Sequence, residues 1–342
     1  MTLSASSFTA TGFVSALAVV GAVSHLGVSA PVSGDVMTGS LQSLYEERFF
    51  DANPLKDIAV GALASIRYAA LGEAYQGAIV GRDGWLFTAE ELEVHPNFAA
   101  NIEASARRVA AVRDELAARG ARLIVVAVPD KAEIYEDRLG RARPSPVGNR
   151  LSAFASHLDR MGVERVGAAA ALRGDMAYGE VFMRDDTHWS PRGAEAVAMA
   201  TALRLADADY ARTGVETRRL EDAAFDGDLL AFVPTGPFRD VVGPPRRSIQ
   251  RYETVVEAAG GLFGDAPVEI ALVGTSFSAK PDFHFEGFLK QALGADILNF
   301  AREGAGPFAP MDAFLLSEEL NTTPPKVVIW EVPVRYVSKE MN

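Results

Sequence analysis

An aspartate and a histidine stand two positions apart in the run MRDDTHWSPRGAEA, directly before a sequence that predicts a helix. Asp186 can accept a hydrogen bond from Nδ1–H of His188 and leave Nε2 free to take a proton from a nucleophile. A candidate nucleophile occurs in EIALVGTSFSAK, where Ser276 follows an apolar segment typical of a buried strand. These residue types and their placement predict acyl transfer by a Ser–His–Asp triad.

The surrounding elements predict an α/β fold with a parallel sheet. NIEASARRVAAVRDELAARG has the apolar spacing of a helix and leads into the buried strand ARLIVVAVP, and Ser190-Pro191 predicts the start of a second helix. Later strands are predicted in APVEIALVGTS, ADILNF and KVVIWEVP, with helices between them. This alternation predicts a doubly wound sheet whose strand carboxyl ends gather Ser276, residues 299–304 and residues 331–335.

Composition excludes several classes of function. The chain has 342 residues, 49% of them hydrophobic, which is enough for a sizeable core, and its formal net charge of -12 argues against binding nucleic acid. The absence of cysteine excludes disulfides, thiolate zinc sites and a cysteine nucleophile. A metal hydrolase built on Asp185, Asp186 and His188 is the weaker interpretation, because the histidines show no paired ligand spacing. We predict neither a metal nor a cofactor.

The N-terminal segment predicts targeting to a membrane. Residues 1–34 contain no Asp, Glu, Lys or Arg, and residues 12–30 are about as long as a helix that crosses a bilayer. Pro31 follows a small-residue run that resembles a cleavage site, and no basic region precedes the segment, so we favour an uncleaved anchor over a removed signal. A buried core helix is the alternative.

The remaining chain is predicted as two parts. Residues 35–98 form a helical extension followed by a hairpin in GAIVGRDGWLF, packed on the body, and residues 99–342 form the catalytic domain. Within that domain, residues 213–257 are rich in Pro, Gly and Arg and predict an irregular insertion. Its arginines either contact an anionic polymer or form a solvated basic patch, and we favour the patch.

Several motifs together resemble a known family. GTSFS with a downstream N-x-x-x-x-G resembles the SGNH (GDSL-like) hydrolases, in which the Asp/His pair ordinarily follows the serine. Here the pair comes first, as in the AlgJ/AlgX branch of alginate-type O-acetyltransferases, which looks like a circularly permuted version. Over about residues 40–338 the chain is similar to the membrane-anchored AlgJ group, in the runs AIVGRDGWLF, AVPDKAEIY, DDTHWSPRGAEA, LVGTSFS and VIWEVPVRY.

The resemblance implies an SGNH-like fold and an O-acetyltransferase that modifies hydroxyls of an exported polysaccharide, alginate-like or other. Ser276 would carry the acetyl group, with His188 as base and Asp186 orienting the ring. Backbone N–H groups of Ser276 and Gly304 would form the oxyanion hole. Arg335 either supplies a third donor, where the wider superfamily has an asparagine, or forms an ion pair with Glu331.

Further contacts with substrate are predicted around this site. Asp130 and Lys131 follow a strand and either touch substrate or form an ion pair within their loop. The residues that we expect to bind substrate are Asp130, Lys131, Thr275, Asn299, Arg335 and Tyr336.

The resemblance also implies partners and a location. The acetyl group would be relayed by a membrane-bound O-acyltransferase, other polysaccharide-export proteins would assist, and the chain would be periplasmic, anchored in the inner membrane by about residues 12–30. Two alternatives remain open at this point. The same triad would serve a carbohydrate acetylesterase with water as acceptor, and a non-catalytic glycan-binding component of a secretion complex would share the fold.

Overall fold

The computed structural model describes residues 5–28, 35, 37–257 and 268–340. The chain divides into two compact units. The first unit comprises the residues up to Ala74 together with Val233–Pro245, and the second comprises Tyr75–Phe232 and the residues from Arg246 onward. The predicted hairpin therefore belongs with the triad residues in the second unit, and only the middle of the predicted insertion belongs to the first.

The described residues of the second unit form the strands β1 (Ala78–Val80), β2 (Leu86–Thr88), β3 (Arg122–Val128), β4 (Val215–Arg219), β5 (Ala223–Phe225), β6 (Arg247–Ile249), β7 (Tyr252–Val256), β8 (Ile270–Val273), β9 (Leu298–Asn299) and β10 (Val327–Pro333). The unit is built on a parallel sheet with strand order β3-β10-β8-β9, and β1–β2, β4–β7 and β5–β6 form antiparallel pairs.

Helices flank this sheet, and several of them begin where the sequence predicts. Ser190 caps the helix that begins at Pro191 by accepting a hydrogen bond from the Gly193 N–H at 3.2 Å. The helices are α1 (Ala5–Gly27), α2 (Ser40–Asp51), α3 (Lys56–Ile66), α4 (Phe98–Ala118), α5 (Lys131–Ile134), α6 (Glu136–Leu139), α7 (Ser145–Gly148), α8 (Arg150–Arg160), α9 (Ala168–Asp175), α10 (Pro191–Arg204), α11 (Arg239–Val242), α12 (Ser276–Ala279), α13 (Phe285–Leu293), α14 (Phe308–Leu315) and α15 (Glu318–Thr322).

The central strands are buried on both faces, which explains their continuous apolar sequences. Ile124 and Ile329 face one core with the aromatic side chain of Trp189, whereas Val125 and Trp330 face a second core with α4 and α8. Because successive side chains point to opposite faces, each central strand contributes to both cores. The parallel sheet predicted from the sequence is confirmed, and its carboxyl edge is free to carry loops.

The first unit is helical in its described residues. One face of α3 packs closely on the segment of residues 233–238: a Cβ added at Gly61 would lie 2.7 Å from the carbonyl oxygen of Thr235. Ala64 and Ser65 are buried on the same helix. A small-residue face on α3 therefore permits this close approach.

The predicted membrane segment is only partly described. Helix α1 covers most of it, and residues 1–4 and 29–34 lie outside the described residues, as do residues 266 and 267 of the predicted strand before Ser276. No helix within the described ranges is long and apolar enough to cross a membrane. The structure thus confirms a helix here, and attachment to a membrane stays a prediction.

Trp330 is the largest side chain of β10 and is fully buried, and its Nε1 donates to the carbonyl of Pro307 at 3.0 Å. We expect Trp330→Ala to lower the free energy of unfolding by about 3–5 kcal/mol, because it leaves a cavity between sheet and helices. Urea unfolding followed by circular dichroism measures this. Trp330→Phe keeps most of the packing and should lose clearly less, and equal unfolding midpoints for Trp330→Ala and wild type would contradict the expected packing role.

Candidate active site

Ser276, His188 and Asp186 form one hydrogen-bonded row. His188 Nε2 lies 2.7 Å from Ser276 Oγ, and His188 Nδ1 lies 2.6 Å from Asp186 Oδ1. The backbone N–H of His188 donates to the same carboxylate oxygen at 2.8 Å. The structure therefore brings the three predicted residues together with the connections that a serine nucleophile and its base require.

Ser276 is placed by the end of β8 and by a buried carboxylate on β10. Glu331 accepts hydrogen bonds from the Thr275 N–H at 2.7 Å and from the hydroxyls of Thr275 and Ser278 at 3.0 and 3.2 Å. A Cβ at Gly274 would lie 2.6 Å from Glu331 Oε2, so only glycine leaves room for this carboxylate. The neighbouring strand thus fixes the turn that presents Ser276. Thr275, predicted to contact substrate, has its hydroxyl bonded inward.

Burial is the largest influence on the pKa of the Glu331 carboxyl group. Removal from water raises its pKa, the donors from Thr275 and Ser278 oppose this, and the net pKa is about 7.

A buried ammonium group forms hydrogen bonds with the backbone of the loop that carries His188. Lys131 Nζ donates to the carbonyls of Leu86, Arg184 and Asp186 at 2.6, 3.0 and 3.0 Å. Burial lowers the Lys131 pKa to about 8, and the nearby negative charges of Glu91 and Asp186 oppose that shift. Lys131 is fully buried with all three of its protons used, so the predicted contact with substrate was wrong, and the side chain shapes the loop instead.

Asp130 is also buried, and its closest cation is Arg150 rather than Lys131, with Arg150 Nη1 3.8 Å from Asp130 Oδ2. Burial raises the Asp130 pKa to about 7, against the charge of Arg150. The alternative of an ion pair between Asp130 and Lys131 within their loop was therefore wrong, because Asp130 pairs with Arg150 on helix α8.

Aromatic rings enclose the imidazole. Phe283 stacks on His188 with ring centroids 4.9 Å apart, and Phe277 lies 4.6 Å away at a tilt. Trp189 packs edge-on against Phe277 at 5.0 Å. Apolar walls limit the water that reaches the ring, and the hydrogen bonds to Asp186 and Ser276 therefore act in a medium of low polarity.

Two acidic groups lie beside the imidazole. Burial acts to raise the pKa of Asp186, but the hydrogen bond and charge of His188 and two backbone N–H donors outweigh it, so its pKa is about 2. Asp228, which the sequence did not single out, places Oδ2 3.7 Å from His188 Nδ1. Burial, and then the charge of Asp186, raise the Asp228 pKa.

Asp186, His188 and Asp228 have ligand atoms within 4.8 Å of one another, a cluster that could hold a metal ion. Both ring nitrogens of His188 are nevertheless occupied, one by Asp186 and one by Ser276. Asp185, part of the metal interpretation, is buried apart from this cluster, and its pKa is raised by burial. The geometry favours proton transfer over metal binding.

Segments predicted to hold the oxyanion and substrate follow β9. The Arg302 N–H donates to the Gly274 carbonyl at 3.0 Å, which ties this segment to the end of the Ser276 strand. Gly304 is exposed and has a positive φ of 70°, a conformation that glycine adopts readily. Its role in the oxyanion hole stays a prediction. The Asn299 amide binds the Ser278 carbonyl and Glu286 at 3.2 and 2.8 Å, and so supports the nucleophile turn.

Arg335 lies against the aromatic wall of the site. Its guanidinium is buried 5.4 Å from the Phe277 ring and 4.9 Å from the Tyr336 ring, and Nε is 3.3 Å from Glu90 Oε2. The alternative of an ion pair with Glu331 was wrong, because the carboxylate that Arg335 pairs with is that of Glu90. A third oxyanion donor at Arg335, and substrate contacts from Arg335 and Tyr336, stay predictions.

Comparison with known proteins gives concordant results. A family model described as "SGNH hydrolase-like domain, acetyltransferase AlgX" matches residues 78–334. The protein named "Probable alginate O-acetylase AlgJ" from Pseudomonas aeruginosa is 35% identical over 326 residues, covering 91% of this chain and 83% of that relative. Its namesake from Azotobacter vinelandii is 33% identical, covering 91% and 82%. The solved O-acetyltransferase domain of Pseudomonas putida AlgJ matches with a TM-score of 0.72 and 32% identity, covering 78% of this chain and 94% of that domain.

The raised pKa of Glu331 makes stability depend on pH. Its folded pKa of about 7 exceeds the ordinary value of 4.5, so the folded state binds the proton more tightly and stability falls as pH rises from about 4.5 to about 7. Glu331→Gln should remove this loss, on the order of 3 kcal/mol across that window. Chemical unfolding of both proteins at several pH values measures the difference.

Glu331→Ala is the contrasting variant. It leaves the Thr275 and Ser278 donors without an acceptor and should be less stable than Glu331→Gln at every pH. A stability difference between wild type and Glu331→Gln that does not change with pH would argue against a carboxylate that titrates near neutrality.

Proposed function

The chain belongs to the family of SGNH hydrolase-like acetyltransferases represented by AlgX, and from this premise we propose that it O-acetylates hydroxyl groups of an exported polysaccharide. The observation that carries the proposal is the hydrogen-bonded row from Asp186 through His188 to Ser276. The chain is an acyltransferase, and this row supports Ser276 as its nucleophile, His188 as its base and Asp186 as the acid that orients the ring.

In the first half-reaction, Ser276 Oγ attacks the carbonyl carbon of an acetyl ester while His188 Nε2 takes the hydroxyl proton. Asp186 stabilises the imidazolium that forms. The tetrahedral intermediate collapses, the C–O bond to the leaving alcohol breaks, and His188 returns the proton to that alcohol. Acetyl-Ser276 remains. We propose that the backbone N–H groups of Ser276 and Gly304 donate to the oxyanion. Each such donor stabilises the transition state by about 3 kcal/mol.

In the second half-reaction, a sugar hydroxyl gives its proton to His188 Nε2 and attacks the acetyl carbon. The bond from that carbon to Ser276 Oγ breaks, and the proton passes from His188 to Ser276. The acetyl group now sits on the sugar and the triad is restored. Protons and acetyl group are carried entirely by side chains and substrates.

The relatives' names support an alginate-like acceptor, since several are named "Probable alginate O-acetylase AlgJ". We extend the proposal to a donor relayed by a membrane-bound O-acyltransferase, to cooperation with other polysaccharide-export proteins, and to a periplasmic location with attachment to the inner membrane by residues 12–30. The uncharged N-terminal sequence supports the attachment.

Ser276→Ala should abolish formation of the acetyl-enzyme from an activated acetyl ester such as p-nitrophenyl acetate. The loss should be on the order of 10³-fold or more, because among the described residues Ser276 carries the one hydroxyl that is bonded to the His188 base. Intact mass after rapid quenching measures the acetyl adduct. Ser278→Ala is the matched control: Ser278 bonds to Glu331 on the buried side of the turn, so this variant should still acetylate. An adduct of normal yield on Ser276→Ala would refute the assignment.

Transfer and hydrolysis are separated by the fate of the acetyl group. The full chain, incubated with the same donor and a panel of oligouronates and neutral oligosaccharides, should place acetyl on sugar, with the oligouronates preferred. Mass spectrometry of the glycans and enzymatic assay of acetate give the two yields. Release of acetate alone, at a rate unaffected by every glycan, would identify an acetylesterase instead.

A further inference from the structure

Residues 227–229 of the predicted insertion form hydrogen bonds with the loop that carries His188. The backbone N–H of Asp228 donates to Asp186 Oδ2 at 2.8 Å, and the Leu229 N–H donates to the Asp185 carbonyl at 3.2 Å. In the opposite direction, Asp228 Oδ1 accepts from the N–H and the hydroxyl of Thr187 at 2.7 and 3.1 Å. Both oxygens of Asp186 are therefore occupied, one by His188 and the other by this segment.

The approach leaves no room for a side chain at the preceding position. A Cβ added at Gly227 would lie 2.1 Å from the Asp185 carbonyl oxygen and 2.8 Å from the Asp186 nitrogen. The backbone of Gly227 lies outside the left-handed region, so glycine is required here for space rather than for conformation. Residues 227–229 thus run directly against the main chain of residues 185–187.

Asp228 also adds charge beside the imidazole. Its Oδ2 lies 3.7 Å from His188 Nδ1, and its side chain is 35% exposed, whereas that of Asp186 is 1% exposed. Asp186 is the buried partner that fixes the ring, and Asp228 is a second carboxylate on the solvent side. An opposite charge at this distance stabilises the imidazolium that forms as the nucleophile loses its proton.

We propose that Asp228 is a positioning residue for the His188–Asp186 pair: it ties Thr187, fixes the Asp186 carboxylate through its backbone, and adds negative charge beside the imidazolium. This role deepens the proposed function and rests on it for its purpose, but it concerns activation of Ser276 whatever the acceptor. Reactivity of Ser276 is therefore the quantity to measure.

The test uses phenylmethylsulfonyl fluoride on the full chain. Ser276 Oγ attacks the sulfur, the S–F bond breaks, and the serine proton passes to His188 and leaves with fluoride. The mass of the intact protein is followed over time at several reagent concentrations. These data give the limiting rate of sulfonylation and the reagent concentration at half that rate. Asp228→Ala removes the hydrogen bonds to Thr187 and the negative charge, and it should lower the limiting rate on the order of 10²-fold. The reagent concentration at half that rate should stay within about twofold of the wild-type value.

Asp228→Asn keeps an acceptor for Thr187 and removes the charge, so it should lose on the order of tenfold, between Asp228→Ala and wild type. Asp222→Asn is the matched control. That aspartate lies in the same insertion, 51% exposed and 3.5 Å from Arg219, and its variant should react at the wild-type rate. Urea midpoints within error of wild type for Asp228→Asn show that the loss is not one of folding.

The outcomes separate the two proposals. If both Asp228 variants react at the wild-type limiting rate, the role of Asp228 is overturned and the acetyltransferase proposal stands. The same conclusion follows if the variants change only the reagent concentration that gives half the limiting rate. If the two Asp228 variants show the graded loss of sulfonylation but the wild type never acetylates sugar, the role of Asp228 is supported and the acetyltransferase is overturned. A wild type whose Ser276 resists the reagent overturns both, because the serine is then not activated.

Discussion

The hydrogen bond from Ser276 Oγ to His188 Nε2 joins parts of the chain 88 residues apart, and the rest of the second unit serves to keep it at 2.7 Å. A shift of about 1 Å between reacting groups costs on the order of 10²-fold in rate. Neither partner can therefore depend on its local turn alone. Ser276 is fixed through the parallel pairing of β8 with β10, and His188 through a loop that buried side chains hold on several sides.

The supports on the two sides are chemically opposite. Behind Ser276, the buried carboxylate Glu331 collects donors; behind His188, the buried ammonium of Lys131 collects carbonyls. A buried charge is costly unless hydrogen bonds replace its water, and each group is matched to the backbone groups that its turn leaves free. Each of these buried ionisable groups holds its turn through several hydrogen bonds at once. The site thus gains rigidity at a cost in desolvation.

The sequence was sufficient for what depends on local pattern. The apolar runs of β3 and β10, the Ser190-Pro191 start of α10 and the aspartate–histidine spacing each carry their meaning within a few residues. The prediction that failed depends on the direction in which a side chain points. Lys131 was placed correctly at the end of a strand, but only the packing of β2 and the His188 loop around it shows that its ammonium points inward. Asp228 had no signal at all, because it reaches His188 only through the course of an irregular insertion.

The same limit applies to the choice between sugar and water as acceptor. His188 serves either nucleophile equally, so the triad alone cannot discriminate between them. The imidazole is 4% exposed and walled by Phe277 and Phe283, whereas Ser276 is only half-buried. An acceptor therefore approaches from the Ser276 side, where water is excluded only when a glycan fills that space. Discrimination must then come from acceptor binding: a bound sugar both supplies the hydroxyl and displaces the water that would otherwise hydrolyse acetyl-Ser276.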